Sequence, residues 1–145
     1  MATSSAAQSA THLRHVIART ARWLRHAGAE EVTLLGPTLT AALATVERHG
    51  PLAPSELADR ERIRRPSATR IVAKLEEHDL VTRTPDPADG RSCRVAITEP
   101  GRDHLQAIRS RKDAVLARRL AELSAEDRAT LDRAADILER LVDRR

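Results

Sequence analysis

The sequence predicts a mainly α-helical chain with one small β-hairpin, an α+β architecture, and three observations predict it. Apolar residues recur at helical spacing over most of the 145 residues. The period switches to alternation once, on either side of a stretch rich in turn formers at residues 85–91. Helical spacing then resumes and runs to the C-terminus.

The first helix is expected over residues 11–27, where Leu13, Val16, Ile17, Thr20, Trp23 and Leu24 share a face, with Gly28 as its stop. A second starts at Gly36-Pro37, because proline at a first-turn position gives up an N–H that has no partner there. Leu39, Ala42, Leu43 and Val46 form its apolar stripe, and His49-Gly50 ends it. Pro54 opens a short third helix carried by Leu57 and Ala58, ending near Arg60. Pro66 lies in the first turn of a fourth, running to about His78. Its residues Ala68, Ile71, Val72 and Leu75 make one apolar side. The other side is Thr69, Arg70, Ala73 and Glu77, flanked by Ser67 and Lys74.

Residues 80–84 read as one short strand and residues 93–98 as another, with a hairpin tip between them too long for a two-residue turn. Thr98 caps a long helix through Leu105, Ile108, Val115 and Leu116 to about Leu123. Ser124 and Asp127 then form a capping-box-like start for a last helix bearing Leu131, Ala134, Leu138, Leu141 and Val142. A helix pair followed directly by a hairpin describes a winged helix-turn-helix. The expected organisation is a single domain over 1–145: a winged lobe at 35–103, flanked by helices at 1–34 and 104–145.

Composition narrows the functions. The chain holds 25 Lys plus Arg against 21 Asp plus Glu, a net of +4, so the placement of charge matters more than its total. Between residues 60 and 74 stand Arg60, Arg62, Arg64, Arg65, Arg70 and Lys74 against the single acid Glu61. That local excess of five exceeds the net charge of the whole chain. In a helix-turn-helix the second helix enters the DNA major groove by its N-terminal part. Thr69 and Arg70 are placed to meet base edges, Arg70 through guanine O6 and N7 together. Ser67 and Lys74 are placed for phosphates, which set register rather than sequence. On the hairpin tip, Arg91 is expected in the adjacent narrow minor groove, with Asp89 pairing with it and aiming it.

No run of about 18 apolar residues is present to span a membrane, and residues 1–11 lack a signal-peptide core. A cytoplasmic protein is expected. The one cysteine, Cys93, excludes an internal disulfide and paired-cysteine zinc sites, and it reads as an idle thiol on a strand. His12 and His15 share a helix face without converging ligands, so neither a metal nor a cofactor is expected. No nucleophile–base pair or carboxylate pair points to an enzyme. The alternatives are an activator, a redox or metal sensor, or a winged-helix module that binds proteins instead of DNA.

Residues His49 to Leu52, Ser55 to Ala58, Pro66 to Arg70, Lys74 to Glu76, Leu80-Val81, Asp86 to Arg91 and Thr98 to Arg102 resemble the core of the MarR family in order and spacing. The resemblance covers roughly residues 35–105. It implies an obligate homodimer held by the terminal helices, double-stranded DNA with a near-palindromic operator as the partner, and a repressor that a small ligand releases. It also implies an effector site between the dimerisation helices and the lobe, where Trp23 becomes a candidate lining residue. The turn residues Arg62, Arg64 and Arg65 are expected to strengthen phosphate binding. Three positions depart from the family pattern. Glu61-Arg62 stands where an apolar residue and glycine are usual, Arg64 replaces a Ser or Thr cap, and Ala53 stands where a Ser or Thr often caps the preceding helix.

Overall fold

Leu43, Leu57, Leu75 and Val95 come from four different elements and are all fully buried at one centre. Around them pack Leu35, Val46, Leu52, Val72, Leu80, Val81 and Leu105. The core is thus built of aliphatic side chains, as a chain with no Phe or Tyr and one Trp requires. The computed structural model describes residues 2–27 and 35–143. Its element order is α1 (Ala2–His26), α2 (Pro37–His49), α3 (Pro54–Glu61), α4 (Arg65–Glu77), β1 (Val81–Pro85), β2 (Cys93–Ile97), α5 (Glu99–Ala121) and α6 (Ala125–Asp143). The winged helix-turn-helix lobe flanked by N- and C-terminal helices is the predicted architecture.

Differences from the expected boundaries have local causes. The first helix begins at Ala2 rather than residue 11, because Ala and Gln propagate a helix and no Pro or Gly interrupts this stretch. Gly28, its expected stop, lies outside the described residues. Leu80 is not part of β1. It ends the turn after α4, where Asp79 takes a left-handed φ of 57°. The Leu80 amide reaches back to the Leu75 carbonyl (2.9 Å) and the Asp79 amide to that of Glu76 (2.9 Å). This is a Schellman closure, and it drives the apolar Leu80 into the core.

The same closure ends α3. Arg62 is left-handed (φ 54°, ψ 42°), Ile63 N donates to Ala58 O at 2.9 Å and Arg62 N to Asp59 O at 3.3 Å. An arginine thus takes the conformation for which the family pattern uses glycine, at a steric cost of about 1–2 kcal/mol. The half-buried Ile63, packed against the core, offsets part of it.

The hairpin is antiparallel with Val81 opposite Ile97, Arg83 opposite Val95 and Thr84 opposite Arg94. Leu52 adds a backbone bridge on the other side of β2, exchanging both amide bonds with Val95 (3.1 and 2.8 Å). The loop before α3 therefore serves as a third, one-residue strand that the alternation pattern could not announce. At the hairpin base, the Thr98 hydroxyl donates to Asp79 O (2.6 Å) and accepts the Gly101 amide (3.1 Å), capping α5 as expected. Gly101 is needed there because a Cβ would sit 2.2 Å from the Leu80 carbonyl oxygen.

Candidate nucleic-acid interface

α4 presents two faces. Ala68, Ile71, Val72 and Leu75 are buried, whereas Arg65, Ser67, Thr69, Arg70 and Lys74 are exposed, with Arg64 exposed just before them. Thr69 is exposed, and its hydroxyl donates back to Arg65 O (3.1 Å). Arg64 occupies the N-cap without a capping side-chain bond, as the absence of a Ser or Thr there anticipated. Its carbonyl accepts the amides of Ser67 (2.9 Å) and Ala68 (3.1 Å).

The ion pairs separate two populations of cations. Arg83 contacts Glu76, Arg94 contacts Glu56 and Asp86, and Arg109 contacts Glu47. These arginines are neutralised within the fold. Among the described residues, Arg60, Arg62, Arg64, Arg65, Arg70, Lys74 and Arg91 have no carboxylate partner. They occupy the last turn of α3, the turn after it, α4 and the wing tip. Of the nine cations of residues 35–103 without a carboxylate partner, these are seven, and Arg48 and Arg102 are the other two.

The wing tip consists of two successive Asx turns. Asp86 Oδ1 accepts the Ala88 amide (2.9 Å) and Asp89 Oδ1 accepts the Arg91 amide (3.0 Å). This corrects the expected aiming device: Asp89 holds the backbone of Arg91, not its guanidinium. The exposed Arg91 side chain leaves from a braced loop. The Ala88 amide bond, with help from Arg94 and Ser92, keeps the Asp86 carboxyl below its ordinary value of 3.8.

Glu56, Asp86 and Arg94 were not singled out from sequence as supports of the site. Glu56 accepts the Ala53 amide (2.7 Å) and so supplies the reciprocal half of a capping box whose first half Ala53 cannot make. The available signal was Arg94 itself, an outward position beside the core-facing Val95 that a solvated residue could equally occupy.

Trp23 lies on α1 and is 37% exposed. With Val16, Arg19 and Thr20 it lines a shallow depression formed by that one helix and open to solvent. His12 and His15 lie exposed on the same helix. Among the described residues no helix is long and apolar enough to cross a membrane.

A two-sided α4 set in a helix-turn-helix, followed by a hairpin with an exposed basic tip, defines a transcriptional regulator with a helix-turn-helix DNA-binding fold. Residues 35–93 match the model of the MarR family. Over 139 residues the chain is 37% identical to an HTH-type transcriptional regulator of Mycobacterium tuberculosis, covering 96% of each. It is 31% identical over 104 residues to the HTH-type transcriptional repressor NicR of Pseudomonas putida, covering 69% of this chain and 63% of that protein. A putative transcriptional regulator of Pseudomonas aeruginosa has a similar structure, with a TM-score of 0.82 at 29% identity, covering 97% and 98% of the two chains. MepR of Staphylococcus aureus, solved bound to an oligodeoxyribonucleotide, shares the fold at a TM-score of 0.67 and 19% identity, covering 90% and 96%. The chain belongs to the MarR family.

Proposed function

We propose that the protein is a homodimeric repressor that binds double-stranded DNA at a pseudo-palindromic operator. The observation that carries this reading is that seven of the nine unpaired cations of residues 35–103 lie from the end of α3 through α4 or at the wing tip. In this reading Thr69 and Arg70 meet base edges in the major groove, while Arg64, Arg65, Ser67 and Lys74 hold phosphates. Arg91 enters the minor groove beside them, and Asp89 shapes its turn. Relatives named as repressors, NicR among them, support the sign of the regulation.

Dimerisation is supported by what the single chain leaves uncovered. Leu13, Val16 and Ile17 on α1 and Leu131, Ile137, Leu141 and Val142 on α6 are exposed, Leu141 by 60% and Val142 by 77%. The two helices also carry opposite charge. α1 has Arg14, Arg19, Arg22 and Arg25 and no acid, whereas α6 has Glu126, Asp127, Asp132, Asp136, Glu139 and Asp143 against Arg128, Arg133 and Arg140. In this reading residues 1–34 and 104–145 serve dimerisation and residues 35–103 bind DNA. In the same reading a small-molecule effector, most simply an aromatic acid, binds between the dimerisation helices and the lobe, with Trp23 a candidate lining residue. As the only tryptophan, Trp23 reports such a ligand by fluorescence.

The test is selection of bound duplexes from random DNA, followed by titration of the selected site at several salt concentrations. The expected result is an inverted repeat with half-sites about 10 base pairs apart and an affinity that falls steeply with salt. Salt-insensitive binding or an unenriched pool would reject the reading.

A further inference from the structure

We propose that Arg94 is a positioning residue that sets the pose of the wing tip on DNA, by tying the tip to the N-terminus of α3 through Asp86 and Glu56. The inference rests on the reading of the wing as a minor-groove contact. It starts from the strand register. Val95 is buried and exchanges both of its backbone bonds with Leu52, so this stretch of β2 is anchored to the segment that leads into α3. Successive side chains on a strand point to opposite faces. Arg94 therefore leaves the hairpin on the face away from Val95, within reach of the first turn of α3.

There its guanidinium joins two elements. Nε donates to Asp86 Oδ2 at 2.9 Å and Nη1 donates to Glu56 Oε2 at 3.2 Å. A guanidinium is planar, with donors in a fixed fork, so satisfying two carboxylates at once restricts the angle between their carriers. Each carboxylate also accepts a backbone amide, although the Glu56 side chain is 52% exposed. Glu56 is held by the Ala53 amide at 2.7 Å, and Asp86, whose side chain is 11% exposed, is held by the Ala88 amide at 2.9 Å. Asp86 opens the loop that carries Arg91, so the clamp acts at the root of that loop. Among the described residues, this is the only side-chain hydrogen bond between α3 and the hairpin.

A minor-groove arginine discriminates by groove width only if its approach is fixed, since a free tip can seek phosphate on any flank. Removing the clamp should therefore erase the flank preference and leave major-groove reading intact. A brace that serves only stability would instead weaken all operators alike.

The test measures the affinity of the full chain for operators that share half-sites but differ in A·T or G·C flanks. Wild type is compared with Arg91→Ala, Arg94→Ala, Arg94→Lys and Glu56→Gln, each checked for native helix content. Arg94→Ala should lose about tenfold on the A·T-flanked operator, match Arg91→Ala, and still reject a base change inside the half-site. Arg94→Lys and Glu56→Gln should fall between it and wild type, and they carry the test if Arg94→Ala does not fold. A retained flank preference in Arg94→Ala, beside a lost one in Arg91→Ala, would overturn the positioning role alone. An equal loss on both operators would do the same. No flank preference in the wild type, or a silent Arg91→Ala, would overturn the wing reading and this inference with it.

Discussion

Arg109 of α5 forks onto Glu47 of α2, with Nη1 3.2 Å from Oε1 and Nη2 on Oε2, and so fastens the lobe to the long helix that leaves it. The Arg109 hydrogen bond holds the Glu47 carboxyl below its ordinary 4.5, and Glu47 in turn raises the guanidinium of Arg109. A carboxylate depressed in the folded state adds stability that is present above about pH 4.5 and lost as pH falls through the folded value. Arg109 is half exposed, so the contribution is at most about 1 kcal/mol. Glu47→Gln should melt slightly lower than wild type at pH 7, and the gap should close toward pH 3. A gap that does not change with pH would show that the pair contributes only packing.

Arg62 is the strained position of the helix-turn-helix. Arg62→Gly should raise stability by up to about 1 kcal/mol, because glycine adopts φ 54° without the Cβ penalty. It should also weaken DNA binding on every sequence, through the loss of one exposed cation. Thermal melts and a salt titration read the two effects separately.

Arg70→Ala should cost roughly 1–3 kcal/mol on the selected operator and relax base preference at one position per half-site. Lys74→Ala should weaken all sequences alike and reduce the salt slope by about one. Competition with single-base operator variants distinguishes them. A uniform loss in both would remove Arg70 from base readout.

Gly101→Ala places a methyl against the Leu80 carbonyl oxygen, which is backbone and cannot turn aside. The expected cost is about 1–3 kcal/mol, read as a lower melting temperature. The displaced hairpin base should also weaken DNA binding.

The opposite charges of α1 and α6 predict that dimer dissociation increases with salt. Ile17→Glu should weaken the dimer further by burying a charge on the α1 stripe. Sedimentation at micromolar concentration across a salt series measures both. A wild-type chain that sediments as a folded monomer would reject the dimer.

Most of the fold was legible from local rules, because helices and strands declare themselves by period and by their punctuation. Pro37, Pro54 and Pro66 marked first turns, Thr98 and Ser124 marked caps, and the apolar stripes of α2 and α4 matched the core. The six cations of residues 60–74 likewise announced a basic stretch, since net local charge is additive along a chain. What the sequence could not decide was which arginines are spent on the fold. Arg83, Arg94 and Arg109 look the same in sequence as Arg70 and Arg91. Their pairing with Glu76, Glu56, Asp86 and Glu47 depends on elements up to 62 residues apart meeting in space. The role of Asp89 was settled in the same way, because whether a carboxylate takes a guanidinium or a backbone amide depends on the turn geometry around it. Periodicity and composition determined the architecture and the basic face by themselves. Only the tertiary structure, by bringing distant charges within hydrogen-bonding distance, decided which cations are paired within the fold and which are left without a carboxylate.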